Sequence, residues 1–237
     1  MVEIKDEGIC RFCLKTFAGR SMGRHLRACQ AKKSIDSQRR ATDKKLRSIY
    51  HLKIWGYKPF WLHIEAASTV TLSQLDGFLR NIWLECCGHL SQFTIDGIGY
   101  AGSFIMGDVP ELDAETMDIA LEQVLNLKDK FEYEYDFGTT TDLQGQVFAI
   151  RRGVIDDGIQ ILARNTRVQF PCHLCGKPAT EIDVEDDQLY CPTCFSDELG
   201  DDYDMSLPVV NSPRMGECGY TGDTNFDDFD AQIEAES

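Results

Sequence analysis

Two groups of soft donors stand out along this chain. Cys10 and Cys13 are followed by His25 and Cys29, a C-x2-C-x11-H-x3-C run. Cys172 and Cys175 are followed by Cys191 and Cys194, a C-x2-C-x15-C-x2-C run. A cysteine pair on a tight knuckle, joined by a second pair, can present four thiolate or imidazole donors to one tetrahedral ion. Zinc is the expected ion, two per chain. Four protein ligands leave no open position for substrate or water, so both ions are expected to be structural rather than hydrolytic. His173 adjoins a ligand but is a poor fifth donor. A segment as short as 1–32 has little apolar core, and metal ligation should supply much of its folding free energy.

The first run resembles the zinc finger family in its CCHC variant, across residues 8–32, with Phe12, Phe17 and Leu26 as its small core. Ser21 is the expected N-cap, and MGRHLRACQAKK the helix. Arg11, Lys15, Arg20, Arg24, Arg27, Lys32 and Lys33 surround that site, and Arg39, Arg40, Lys44, Lys45 and Arg47 continue the run. Cations spread along a helix can follow a phosphate backbone, so this segment is the candidate nucleic-acid contact, DNA or RNA. One finger reads only about 3 base pairs, so the expected contact is backbone-dominated and salt-sensitive.

The chain has 237 residues and a net charge of −15. Residues 1–54 hold 14 Lys/Arg against 5 Asp/Glu, or +9, whereas 171–237 hold 2 against 17, or −15. The two ends therefore suit different partners, or each other. Hydrophobic residues make up 43%, enough for a core and too many for wholesale disorder. No stretch approaches the roughly 18 consecutive apolar residues of a membrane span. Charges interrupt the N-terminus where a secretory signal would be apolar. With thiols expected on metal, the predicted location is cytoplasmic.

Between the two metal sites the pattern is α+β. IYHLKIW and FWLHIEA alternate as a pair of strands, with Phe60, Leu62 and Ile64 on one face and Trp61, His63 and Glu65 on the other. TLSQLDGFLRNIWLECC places Leu72, Leu75, Leu79, Ile82, Trp83 and Cys86 on one helical stripe. On that buried stripe Cys86 and Cys87 read as small apolar residues. FTIDGIGY reads as a strand and TMDIALEQVLNL as a second helix. FEYEYDF is the clearest strand, with Phe131, Tyr133, Tyr135 and Phe137 sharing a face that suits packing better than base stacking. QVFAI and GIQILAR add two more strands.

The predicted fold is therefore a small ββα-type finger (1–32), a basic linker or helix (33–47) and a mixed-sheet α+β domain (48–168). A zinc ribbon with the NSPRMGECGYTG loop (169–222) and an acidic tail (223–237) complete it. The ribbon loop is acidic, with Glu181, Asp183, Glu185, Asp186 and Asp187, and should repel phosphate and favour a protein partner. Arg214 is the only cation after Lys177. It is expected either to pin its loop by an ion pair or to capture an anion or partner. Cys218 has no evident partner in the sequence. The tail is expected to be a solubilising extension or to dock on the basic finger.

The order IYHLKIW, KPFWLHIEAASTVTLSQLDGFLRNIW, GHLSQF and YEYDFGTTTDL resembles the plasmid pRiA4b ORF-3-like family over about 120 residues. The resemblance implies the fold of the central domain, a following ribbon with a segment like LPVVNSPRMGECGYTG, and a setting in plasmids or mobile elements. It implies no reaction. The family's Trp and His after Asp-Phe-Gly are replaced here by Thr139, Thr140, Thr141 and Asp142. Its second His after His-Leu is Ser91. Asp136-Phe137-Gly138 matches a kinase metal motif in letters alone, without a glycine-rich loop. His51, His63, His89 and Asp136 are scattered along the sequence, and lone histidines are usually structural.

The function expected from sequence is a non-enzymatic zinc-binding adaptor of a mobile element, plasmid or phage. Its finger would contact nucleic acid and the remainder a protein. The alternatives are a protein-only regulator whose acids mimic nucleic acid, or an enzyme with its site in the central domain.

Overall fold

The computed structural model describes residues 4–43, 45–102, 114–155, 158–200 and 202–222. The expected acidic tail, 223–237, lies outside them. The chain forms two compact units. The larger one takes residues 6–79 and 89–166, and the smaller takes 80–88 and the segment from Arg167 onward. The architecture is mixed α+β.

The larger unit is organised by one ten-stranded sheet. Its strands are β1 (Glu7–Cys10), β2 (Thr16–Ala18), β3 (Arg47–Trp55), β4 (Trp61–Ala67), β5 (Ser91–Ile95), β6 (Ile98–Ala101), β7 (Ala114–Thr116), β8 (Lys130–Tyr135), β9 (Thr141–Gly153) and β10 (Ile159–Asn165). The spatial order is β2-β1-β10-β4-β3-β9-β8-β5-β6-β7. Every neighbouring pair is antiparallel except β6 with β7. The β3–β4 hairpin pairs Trp55 with Trp61 and His51 with Glu65. Every residue of β4 is buried, because both of its faces are covered.

The finger strands β1 and β2 are the edge of this sheet, with β1 pairing β10 from Gly8↔Asn165 to Cys10↔Ala163. Two helices follow them, α1 (Gly19–Ala28) and α2 (Gln30–Thr42). The chain breaks between them at Cys29, whose ψ of 117° leaves the helical region. The helix predicted to run on through Lys33 is thus two helices, and the expected basic linker is mostly helical. Ser21 is not the N-cap; α1 starts at Gly19, and Ser21 Oγ donates back to the Ala18 carbonyl at 2.9 Å.

α3 (Leu72–Leu79) buries Leu72, Leu75 and Leu79 as expected. It continues into a π-helical turn, Arg80–Leu84, closed by the Glu85 N–H on the Arg80 carbonyl at 2.9 Å. FTIDGIGY is a hairpin, not one strand. Asp96 and Gly97 both take positive φ (50° and 78°), the left-handed pair that a two-residue hairpin turn requires. TMDIALEQVLNL yields a single helical turn, α4 (Leu121–Val124). Phe131, Tyr133 and Tyr135 are buried, with the Phe93 and Tyr133 rings 4.6 Å apart. Phe137 is exposed, because the strand stops at Tyr135 and Asp136 turns the chain with φ of 65°.

In the smaller unit β11 (Glu181–Asp183) pairs antiparallel with β12 (Gln188–Tyr190) and with β13 (Ser206–Pro208), and α5 (Pro192–Glu198) follows Cys191. Asp187, with φ of 53°, turns the β11–β12 hairpin.

Candidate functional site

The first donor group is assembled by the sheet edge and the break at Cys29. Cys10 ends β1, Cys13 lies in the following turn, His25 projects from α1, and Cys29 stands at the joint with α2. Their ligand atoms all lie within 4.8 Å of one another. Cys10 Sγ is 4.0 Å from Cys29 Sγ, and Cys13 Sγ is 3.3 Å from His25 Nε2. The Phe17 ring stacks on His25 at 3.8 Å and fixes its plane. Burial pushes the Cys10 thiol up to about 12, so a cation beside it is what would favour the thiolate.

This N-terminal segment does not carry its own core. Cys10, Met22, Leu26 and Cys29 pack with Trp61, Leu162 and Ala163 of the central strands, and Phe12 and Phe17 join them. Trp61 Nε1 donates to Asp6 Oδ1 at 2.7 Å. The apolar contacts missing from the short segment are supplied by the sheet that it extends.

The second group joins Cys172, Cys175, Cys191 and Cys194, again within 4.8 Å. Cys175 and Cys191 sulfurs are 3.6 Å apart. Desolvation raises the Cys172 thiol, but the backbone N–H groups of Cys191, Cys175 and Leu174 outweigh it and bring it down to about 6. That is the amide-lined knuckle expected around Gly176 and Pro192, readying a thiolate for a cation. His173 turns away, its Nδ1 lying 3.1 Å from the Leu189 carbonyl.

A third group was not legible in the sequence. Within the smaller unit, Cys86, Cys87 and Cys218 bring their sulfurs within 4.8 Å of one another. No cysteine forms a disulfide in the structure. Cys86 is only half-buried and Cys87 is exposed, so neither is the small core residue expected from the helical stripe.

The basic residues divide into two populations. Arg11, Lys15, Arg20, Arg24, Arg27 and Lys33 are exposed. Lys32, expected among the phosphate contacts, is instead 6% exposed. Its Nζ lies 2.8 Å from Asp36 Oδ2 and 3.0 Å from Glu65 Oε1. Glu65 also accepts two bonds from Arg151, at 2.7 and 2.6 Å, and one from Gln160 at 3.0 Å. Burial alone would raise the Glu65 carboxyl, but Arg151 and Lys32 hold it down at about 2. Arg39 and Arg40 reach the sheet as well, at Gln160 Oε1 (2.9 Å) and the Arg152 carbonyl (2.6 Å).

Beneath α2 this network borders a cavity of 480 Å³, with Arg27, Lys33 and Arg40 on its cationic side and His51 and Glu65 among its other lining residues. His51 and His63, scattered in the sequence, are brought together here: His51 Nε2 stands 2.9 Å from His63 Nδ1, and both rings are buried. His89 and Asp136 also meet, with Nδ1 and Oδ1 3.5 Å apart. The two pairs remain separate. The β8 aromatics pack within the sheet and present no stacking surface.

Arg214, expected either to hold its loop or to meet an anion or partner, is wholly buried. Its N–H donates to Ser212 Oγ at 2.9 Å, Ser212 Oγ donates to the Trp83 carbonyl at 2.6 Å, and the guanidinium lies 3.7 Å from Cys86 Sγ. It is an internal anchor that an outside partner does not reach.

No protein-family model matches the chain, and no curated protein matches it. A search of solved structures finds a likeness to the crystal structure of the protein of unknown function MM3350 from Methanosarcina mazei Go1. Identity is 20%, with a TM-score of 0.41 over 51% of this chain and 70% of the other. No described helix is long and apolar enough to cross a membrane.

Proposed function

We propose that this chain is a non-enzymatic, zinc-stabilised adaptor. It grips nucleic acid by its phosphates through the outer face of α1 and the start of α2, and meets a protein partner through the remainder. The observation that carries this reading is the asymmetry of charge on the two helices. Arg20, Arg24, Arg27 and Lys33 face solvent, while the one acid on these helices, Asp36, is bonded inward to Lys32 and Arg151. No acid on these two helices offsets the outward charge, which attracts a polyanion and favours salt-sensitive binding.

Zinc is the ion that the first two donor groups suit best. Zn–S bonds of about 2.3 Å and Zn–N bonds of about 2.0–2.1 Å imply tetrahedral edges of about 3.8 Å between sulfurs and about 3.6 Å from sulfur to nitrogen. The spacings of 4.0, 3.3 and 3.6 Å lie near those edges and far from the ~2.05 Å of a disulfide. Held there, each ion would be structural. The mobile-element, plasmid or phage setting rests on the resemblance of residues 48–168 to the pRiA4b ORF-3-like family.

The test is a binding titration against duplex DNA and single-stranded RNA at several salt concentrations, using wild type and the Arg20→Glu/Arg24→Glu pair. Deleting residues 1–48 would not serve, since it strips two strands from the sheet. The expected result is weaker binding by the pair and a salt slope shallower by about 2. Equal affinity and equal slope for both proteins would remove the reading. Proton transfer at the cavity is a second reading, favoured by His51 beside Glu65 at its wall. Turnover abolished by His51→Gln, with nucleic-acid affinity intact, would support it.

A further inference from the structure

We propose a third metal site within the smaller unit, in which Cys86, Cys87 and Cys218 hold a zinc ion that staples the NSPRMGECGYTG loop to the turn Arg80–Leu84. Within the smaller unit, Cys87 Sγ lies 3.7 Å from Cys86 Sγ and 3.6 Å from Cys218 Sγ. Both distances fall on the edge of a zinc–thiolate tetrahedron, about 3.8 Å, and are nearly twice a disulfide bond. Three sulfurs from positions 131 residues apart thus converge at the spacing seen in the two groups whose sequence motifs already imply metal.

The backbone on both sides is shaped to deliver them. The π-helical turn Arg80–Leu84 ends two residues before Cys86, and such turns recur at functional sites. Cys218 sits at φ of 46°, after successive turns in which the Met215 N–H meets the Ser212 carbonyl and the Glu217 N–H meets the Arg214 carbonyl. A left-handed cysteine is a strained position, and ligation gives it a reason. Charge also fits. Three thiolates and one divalent ion sum to −1, and the buried Arg214 guanidinium is 3.7 Å from Cys86 Sγ.

Cys87 and Cys218 are exposed, whereas each of the other two groups contains two buried sulfurs. The third ion is therefore the most accessible to a chelator.

The experiment is native mass spectrometry of fully reduced protein loaded with zinc, with colorimetric zinc release to a chelator, on wild type and Cys87→Ser/Cys218→Ser. Three ions per wild-type chain are expected, with one released at least tenfold faster than the others. The double variant should hold two and lose the fast phase. A wild type with no more ions than the double variant overturns the proposal, as does a Cys87–Cys218 disulfide in zinc-loaded protein. Cys13→Ser and Cys175→Ser, scored in the same assay, report the other two sites separately, so failure here is distinct from failure there.

Discussion

His51 Nε2 and His63 Nδ1 face one another at 2.9 Å in the buried middle of the sheet, on neighbouring strands β3 and β4. One ring must donate and the other accept, so the pair is compatible with two neutral imidazoles. Burial holds His51 down at about 4, and it pushes His63 well down too, aided by its neighbour His51.

The sign of the resulting pH dependence follows from linkage. Between about pH 6.5 and pH 4 the unfolded chain binds protons that the folded histidines refuse, so folding stability falls as pH falls through that window. His51 alone should contribute about 3 kcal/mol of this loss. Urea unfolding at pH 7.5, 5.5 and 4.5 checks it. His51→Leu/His63→Leu should be flatter across that range, and a slope equal to wild type would refute the assignment.

Glu65 depends on Lys32 and Arg151, and they depend on it. Its depressed carboxyl contributes stability that is complete above about pH 4.5 and lost as pH drops toward about 2. Glu65→Leu leaves the buried Lys32 and the half-buried Arg151 short of a partner and should destabilise the fold by roughly 3 kcal/mol at pH 7. Adding Arg151→Met should recover part of that, measurable as a double-mutant coupling.

Gly145 of β9 lies under the Phe131 ring, where an added Cβ would come within 2.0 Å of the ring edge. Gly145→Ala should therefore cost about 1–3 kcal/mol through displacement of a buried aromatic. Zinc content should stay unchanged, which separates a packing defect from a ligand defect.

Chelation should act locally at the N-terminal edge. Removing the ion from Cys10, Cys13, His25 and Cys29 should free the amides of Gly8–Cys10 and α1 to exchange, while β3 and β9 keep their protection. Hydrogen exchange by mass spectrometry with and without chelator measures this. Uniform loss of protection across the sheet would show that the edge and the centre unfold as one unit.

Strong local signals carried much of this fold. FEYEY alternates strictly and forms β8, and the two cysteine runs converge as their spacings imply. Failures came where distant chain decides. Met117, Leu121 and Leu125 are buried at helical spacing, yet a bend after β7, one helical turn and an extended residue place them, because neighbouring strands override helix propensity. Asp96-Gly97 inside FTIDGIGY is a hairpin signal at the level of the dipeptide itself. Cys86, Cys87 and Cys218 form no knuckle motif, and only the fold brings position 218 to position 87. Lys32 carries the same charge as Lys33, and one residue of helical rotation sends one inward and the other to water.

Cys29 is at once a donor and the joint between two helices. An ion held by the first donor group would therefore set the angle at which Arg20 and Arg24 stand to Lys33 and Arg40. Gain or loss of that ion would rearrange the protein's positive face as a pattern, without altering its total charge.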